Sequence, residues 1–120
     1  MVVFESVIDN IGENGLDFLC EKMVILFNNN APIELAKFSV LIKPGKLLFP
    51  IERGDIFTIG ELTYKVTAIG KEANKNLNDL GHVVLKFDGE DLPSLPGNIH
   101  LEAKELPKFT PGLIITFRKG

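Results

Sequence analysis

The reading of the fold turns on one stretch, Gly70-Lys71-Glu72-Ala73-Asn74-Lys75-Asn76-Leu77-Asn78-Asp79-Leu80-Gly81-His82-Val83-Val84-Leu85-Lys86-Phe87-Asp88-Gly89. Ala73, Leu77 and Leu80 recur at i, i+4 and i+7, the spacing of one helical face. Gly81 stands where a helix ends in the left-handed conformation, which glycine enters without a Cβ clash. The period then changes to two. Val83, Leu85 and Phe87 face one way, and His82, Val84 and Lys86 face the other. Asp88-Gly89 is a turn signal. The stretch therefore predicts a short helix, a glycine stop and a strand that opens on a histidine.

Working outward, Phe57-Thr58-Ile59 and Leu62 to Ile69 flank Gly60-Glu61, a hairpin signature. Val2 to Ile11 and Ser39 to Ile42 read as strands. Met23-Val24-Ile25-Leu26-Phe27 is an unbroken apolar run, which predicts a strand covered on both faces. Gly15 to Lys22 predicts a helical turn or two with Leu16, Leu19 and Cys20 inward. Pro32 suits a first helical position before Ile33, Leu35 and Ala36. Leu47 to Ile51 is apolar between two turn signals. On the C-terminal side, Asp91 to Gly97 reads as a loop. Ile99 and Leu101 alternate with His100 and Glu102, and Leu113 to Arg118 forms a closing strand after the turn region Pro107 to Gly112. Many short strands punctuated by Gly and Pro predict a mainly β chain: a single domain over residues 1–120, a small β-barrel of about seven or eight strands with one or two short helices. No β-α-β rhythm and no internal repeat is visible.

Composition bounds the function. With 120 residues the chain is long enough for a real core. A net charge of -3 with scattered lysines argues against nucleic acid as a partner. A single cysteine, Cys20, forms no internal disulfide and suits a reducing compartment. The first residues carry no basic segment, and no apolar run approaches the ~20 residues that span a bilayer. A cytoplasmic location is expected.

Few residues carry chemistry. His82 and His100 have the acidic Asp88, Glu90 and Asp91 between them, but no set of three or four ligands at metal spacing, so no metal is expected. Cys20 sits among Leu16, Phe18 and Leu19 and reads as a small buried hydrophobe. No Gly-rich phosphate loop and no serine elbow is present. His100 alternates with core residues and is expected on an exposed strand face. His82 is nucleophilic at neutral pH, but it directly follows a helix C-terminus, whose negative dipole disfavours a phosphoryl dianion. Physical chemistry alone reads it as a hydrogen-bonded structural residue.

Three segments add a resemblance. Gly60-Glu61-Leu62-Thr63-Tyr64-Lys65-Val66-Thr67-Ala68-Ile69-Gly70, Asn76 to Gly89 and Leu95-Pro96-Gly97-Asn98-Ile99-His100 closely resemble the glucitol/sorbitol-specific IIA component of the phosphoenolpyruvate-dependent sugar phosphotransferase system. Ile11-Gly12, Met23 to Phe27 and Asn30-Ala31-Pro32 followed by Glu34-Leu35 match as well. The resemblance implies a small cytoplasmic β-rich protein without cofactor. Such a protein takes a phosphoryl group from the phosphocarrier HPr onto a histidine and passes it to the IIB part of a IIB/IIC sugar permease. The family's acceptor histidine lies in the strand before the turn occupied here by Lys43-Pro44-Gly45, and the matching residue is Ile42. Two readings follow. Either His82, which matches a histidine of the family motif, is the catalytic acceptor, or the chain keeps the fold as a docking or regulatory module. A small-ligand barrel is a third reading and requires a concave pocket. Strand edges left exposed would allow a homodimer.

Overall fold

Eight strands close into a barrel in the computed structural model, which describes residues 1–120. They are β1 (Val2–Ile11), β2 (Met23–Asn28), β3 (Val40–Ile42), β4 (Ile56–Ile59), β5 (Leu62–Ile69), β6 (Val83–Lys86), β7 (Asn98–Leu101) and β8 (Ile114–Arg118). Two short helices join them, α1 (Ile33–Ala36) and α2 (Ala73–Leu80). Around the barrel the order is β1-β3-β2-β6-β7-β5-β4-β8, and β8 returns to β1. Closure leaves no sheet edge for edge-to-edge pairing with a second copy.

The predicted hairpin is β4–β5, with Gly60 at φ 56° in its turn. Two neighbouring pairs, β2–β3 and β6–β7, run parallel. Parallel neighbours need a crossover of about a dozen residues, because the chain must return to the end where it began. Residues 29–39, with α1, supply the first crossover and residues 87–97 supply the second. A β-α-β rhythm is thus present once, over too short a helix to register as periodicity.

The barrel interior is aromatic and aliphatic. Phe57 packs on Phe117 with centroids 5.0 Å apart, and Tyr64 meets Phe87 edge-on at 5.0 Å. The Tyr64 hydroxyl donates to the Glu105 carbonyl, so the ring is buried without an orphaned polar group. Helix α2 contributes Ala73 and Leu77 to this core. Burying a leucine such as Leu77 contributes roughly 1.5–3 kcal/mol. Leu80, also expected on that face, is half exposed because it lies in the last turn, past the part of the stripe that meets the core. Leu47 to Ile51 forms no strand and is fastened to α2 instead. Asn74 accepts the Ile51 N–H at 2.8 Å and donates to its carbonyl at 3.0 Å, and Asn78 accepts the Leu47 N–H at 3.2 Å.

The segment before β2 departs from expectation. Asp17–Glu21 is a single 3-10 stretch outside the barrel, and only Leu19 packs against the core. Leu16 and Cys20 are exposed, and the Cys20 thiol donates to the Asp17 carbonyl at 3.3 Å. Cys20 is therefore not a buried hydrophobe. Three-residue periodicity turns faster than the 3.6 of an α-helix, so the inward stripe drifts off the contact.

Candidate functional site

The β2–β6 register decides what surrounds His82. Leu26 pairs with Val83, so Phe27 falls opposite His82 on the outer face of the wall. The two rings stack with centroids 4.6 Å apart and planes inclined by 26°. His82 Nδ1 lies 3.1 Å from the Leu26 carbonyl oxygen. A carbonyl only accepts, so Nδ1 carries the proton and donates it. The second nitrogen, Nε2, then holds the lone pair, and no protein group bonds it. The backbone N–H of His82 donates to the Asn76 carbonyl at 3.2 Å, and Gly81 caps α2 at φ 63° and ψ 22°. Backbone and ring are thus both held, in a half-buried position, with one nucleophilic nitrogen toward solvent.

Gly81 has a second reason to be glycine. A Cβ there would overlap Asn28 Oδ1 and lie 2.5 Å from Asn28 Cγ. Asn28 ends β2 with its side chain buried, and its Oδ1 has no hydrogen-bond partner. In the parallel β2–β3 ladder, Asn28 pairs with Ile42. Ile42 is fully buried in the core, across from Ile8 on β1. The position that the resemblance assigns to an acceptor is therefore an inward-facing methyl-bearing residue beside an orphaned carboxamide.

His100 is not exposed, as alternation had suggested, but completely buried. Its strand neighbours Ile99 and Leu101 do point into the core. The outer face is covered by the chain's own crossover from β6, which strand periodicity does not report. His100 Nδ1 lies 2.8 Å from Asp88 Oδ1. The Ser94 N–H donates to Nε2 at 3.2 Å, and Ser94 Oγ lies 3.4 Å from the same nitrogen. Ser94 Oγ also accepts from Asn98 Nδ2 at 2.8 Å. Carboxylate, imidazole and hydroxyl stand in the order of a nucleophilic relay, but the lone pair that would take a serine proton is held by an amide. The cluster is chemically a fastener. Burial acts to raise the Asp88 carboxyl, yet the hydrogen bond from His100, the Glu90 N–H and the charge of Lys86 hold it below its ordinary value.

No three His, Cys, Asp or Glu side chains converge on a point, and of the acidic loop only Asp88 reaches a histidine. One cleft of about 340 Å³ is lined by Ile69, Gly70, Lys71 and Pro93 to Pro96. It lies against the loop that covers His100, and none of its lining residues belongs to the His82 site. Phe27, the Leu26 carbonyl and Asn28 are site residues that sequence reasoning missed. The Met23 to Phe27 run marks their strand, but only the pairing register brings them to residues 81 and 82.

A family model of the PTS system glucitol/sorbitol-specific IIA component matches residues 3–116. The glucitol/sorbitol-specific EIIA component of Escherichia coli K12 is 34% identical over 116 residues, which cover 97% of this chain and 94% of that protein. The corresponding component of Shigella flexneri matches at the same identity and coverage. Among solved structures, a PTS system IIA component from Enterococcus faecalis V583 superposes with a TM-score of 0.80 at 28% identity, covering 95% of this chain and 98% of that one. No helix is long and apolar enough to cross a membrane.

Proposed function

The chain belongs to the family of glucitol/sorbitol-specific IIA components of the phosphotransferase system, and on that premise we propose that it relays its phosphoryl group through Nε2 of His82. The donor is phospho-HPr and the recipient is the IIB part of a IIB/IIC sugar permease, met in the cytoplasm. One observation carries the reading: the Leu26 carbonyl accepts a hydrogen bond from Nδ1–H and leaves the Nε2 lone pair free.

The chemistry balances without a moving proton. The Nε2 lone pair attacks phosphorus, the P–N bond to the carrier's histidine breaks, and that imidazole leaves with its electron pair. Nδ1 keeps its hydrogen, so the His82 ring becomes cationic once Nε2 is phosphorylated. A cationic ring is favoured by everything around it. The Leu26 carbonyl accepts a charge-assisted hydrogen bond, the Phe27 π-face lies 4.6 Å away, and α2 ends immediately before residue 82. The helix dipole that opposes the phosphoryl dianion thus supports the ring that carries it. A cationic ring is also the better leaving group for onward transfer.

Incubation with enzyme I, HPr and labelled phosphoenolpyruvate tests the reading. Label is expected on the chain, at Nε2, and absent from His82→Ala. Label that survives His82→Ala overturns the assignment. A second reading rests on Ile42. If the wild type accepts no label yet binds HPr or a permease, the chain is a non-catalytic docking or regulatory member of the family.

A further inference from the structure

The buried cluster Asp88–His100–Ser94 plays no part in the proposed relay, yet it satisfies both nitrogens of a fully buried histidine. A backbone N–H donates and never accepts. Its bond to Nε2 therefore exists only while that nitrogen is unprotonated. Protonating His100 would set two N–H groups against each other at 3.2 Å. The new donor has one acceptor within reach, the remaining lone pair of Ser94 Oγ at 3.4 Å, and the Ser94 N–H stands in its way. The Ser94 backbone must then move.

We propose that Asp88, His100 and Ser94 form a proton-operated latch, which holds residues 91–97 on the sheet while His100 is neutral and releases them when it is protonated. The latched segment carries other fastenings. The Pro96 carbonyl accepts the Glu72 N–H at 2.9 Å at the start of α2, and the Gly97 carbonyl accepts the Val84 N–H at 3.1 Å. Release therefore reaches both α2 and the strand that follows His82. It also opens one wall of the 340 Å³ cleft, which Pro93 to Pro96 build against Ile69 to Lys71.

The charges around the latch act in both directions. Across the sheet, His100 faces Ala68 on β5 and Lys86 on β6. Asp88 favours the protonated ring. Burial and Lys86, whose Nζ is 4.0 Å from Asp88 Oδ2, oppose it. Glu90 and Asp91 are exposed in the loop, Glu102 follows His100 by two residues, and Lys71 lies across the cleft.

Amide and imidazole NMR of the full chain, titrated from mildly alkaline to acidic pH, tests the latch. The amides of residues 91–97 are expected to shift and lose exchange protection with the midpoint of the His100 ring. Asp88→Asn keeps an acceptor for Nδ1 but removes the charge, and is expected to move the loop transition to lower pH. His100→Gln is expected to hold the loop in one state throughout. The latch is overturned if the loop amides stay fixed while His100 titrates, or if they follow His82 instead. A His100 ring that stays neutral until the protein unfolds overturns it too, as does an unchanged loop transition in Asp88→Asn. If neither variant folds, the wild-type titration alone decides.

Discussion

Gly81→Ala isolates the joint that places His82. The residue sits at φ 63° and ψ 22°, where an L side chain costs about 1–2 kcal/mol. The added Cβ overlaps Asn28 Oδ1 and comes within 3.0 Å of the Asn28 backbone nitrogen. That nitrogen belongs to β2 and has little freedom to move. The carboxamide relieves the overlap only by leaving a buried site, and overpacking of this kind costs about 1–3 kcal/mol. Alanine recovers up to ~1 kcal/mol by restricting the unfolded chain. The expected net loss is about 2–4 kcal/mol, or roughly 4 °C of Tm per kcal/mol in a chain of this size. Asn28→Ala alone is expected to cost under about 1 kcal/mol, because it removes an oxygen with no hydrogen-bond partner. In that background Gly81→Ala should cost only about 0–2 kcal/mol, since the backbone strain, less what alanine recovers, remains and the side-chain overlap is gone. Urea unfolding of the four proteins, compared at a common m-value, measures the coupling. Additive losses, within about 0.5 kcal/mol, would refute the packing half of this reasoning. A Gly81→Ala protein as stable as wild type would refute both halves.

Phe27→Leu keeps an apolar side chain at the site but removes the aromatic face over His82, and labelling from phospho-HPr should slow about 2- to 10-fold; an unchanged rate excludes a role for the stack. Ile42→His places an imidazole beside Asn28 Oδ1, which can accept its N–H. Its urea-unfolding loss should therefore grow by about 1–3 kcal/mol when Asn28→Ala removes that acceptor, and equal losses in both backgrounds count against the pairing. Asp55 is buried and sits 2.8 Å from Lys119 Nζ; burial acts to raise its carboxyl, but the Lys119 bond and the N–H groups of Glu52 and Gly120 hold it below 3.8. A lowered carboxyl stabilises the fold fully above pH 3.8 and loses that contribution as pH falls through the folded value. Asp55→Ala should thus cost about 1–3 kcal/mol at neutral pH, chiefly through the Glu52 and Gly120 N–H groups left without their acceptor, with the gap to wild type closing in acid; a neutral-pH loss under about 0.5 kcal/mol contradicts this.

What was legible in the chain is what neighbours in sequence decide. Ala73 and Leu77 on one helical face, Gly81 as a left-handed stop and Gly60 in a two-residue turn are all local, and each is found where the pattern puts it. Strand alternation likewise identified the inward faces of β6 and β7. Register and cover are not local. Nothing between Met23 and Phe27 states that Leu26 will pair with Val83 rather than Val84, yet that one step decides whether Phe27 or Asn28 meets His82. Alternation also reports only which side of a strand faces the core. It does not report that residues 87–97 fold back over the other side, so His100 read as exposed and is buried.

The two histidines show how little the residue type decides by itself. Both hold their proton on Nδ1, one against the Leu26 carbonyl and the other against the Asp88 carboxylate. They differ at Nε2. In His82 that lone pair meets no protein group, while in His100 it is taken by the Ser94 amide. On the proposed readings the free lone pair attacks phosphorus and the occupied one holds a loop. The same distinction bears on Ile42. A histidine there would face inward, next to Asn28 and Ile8, where a lone pair is useful only if the barrel end opens to admit a partner. Isoleucine seals that end, and the outward nitrogen of His82 is the one imidazole lone pair left for an incoming phosphoryl group.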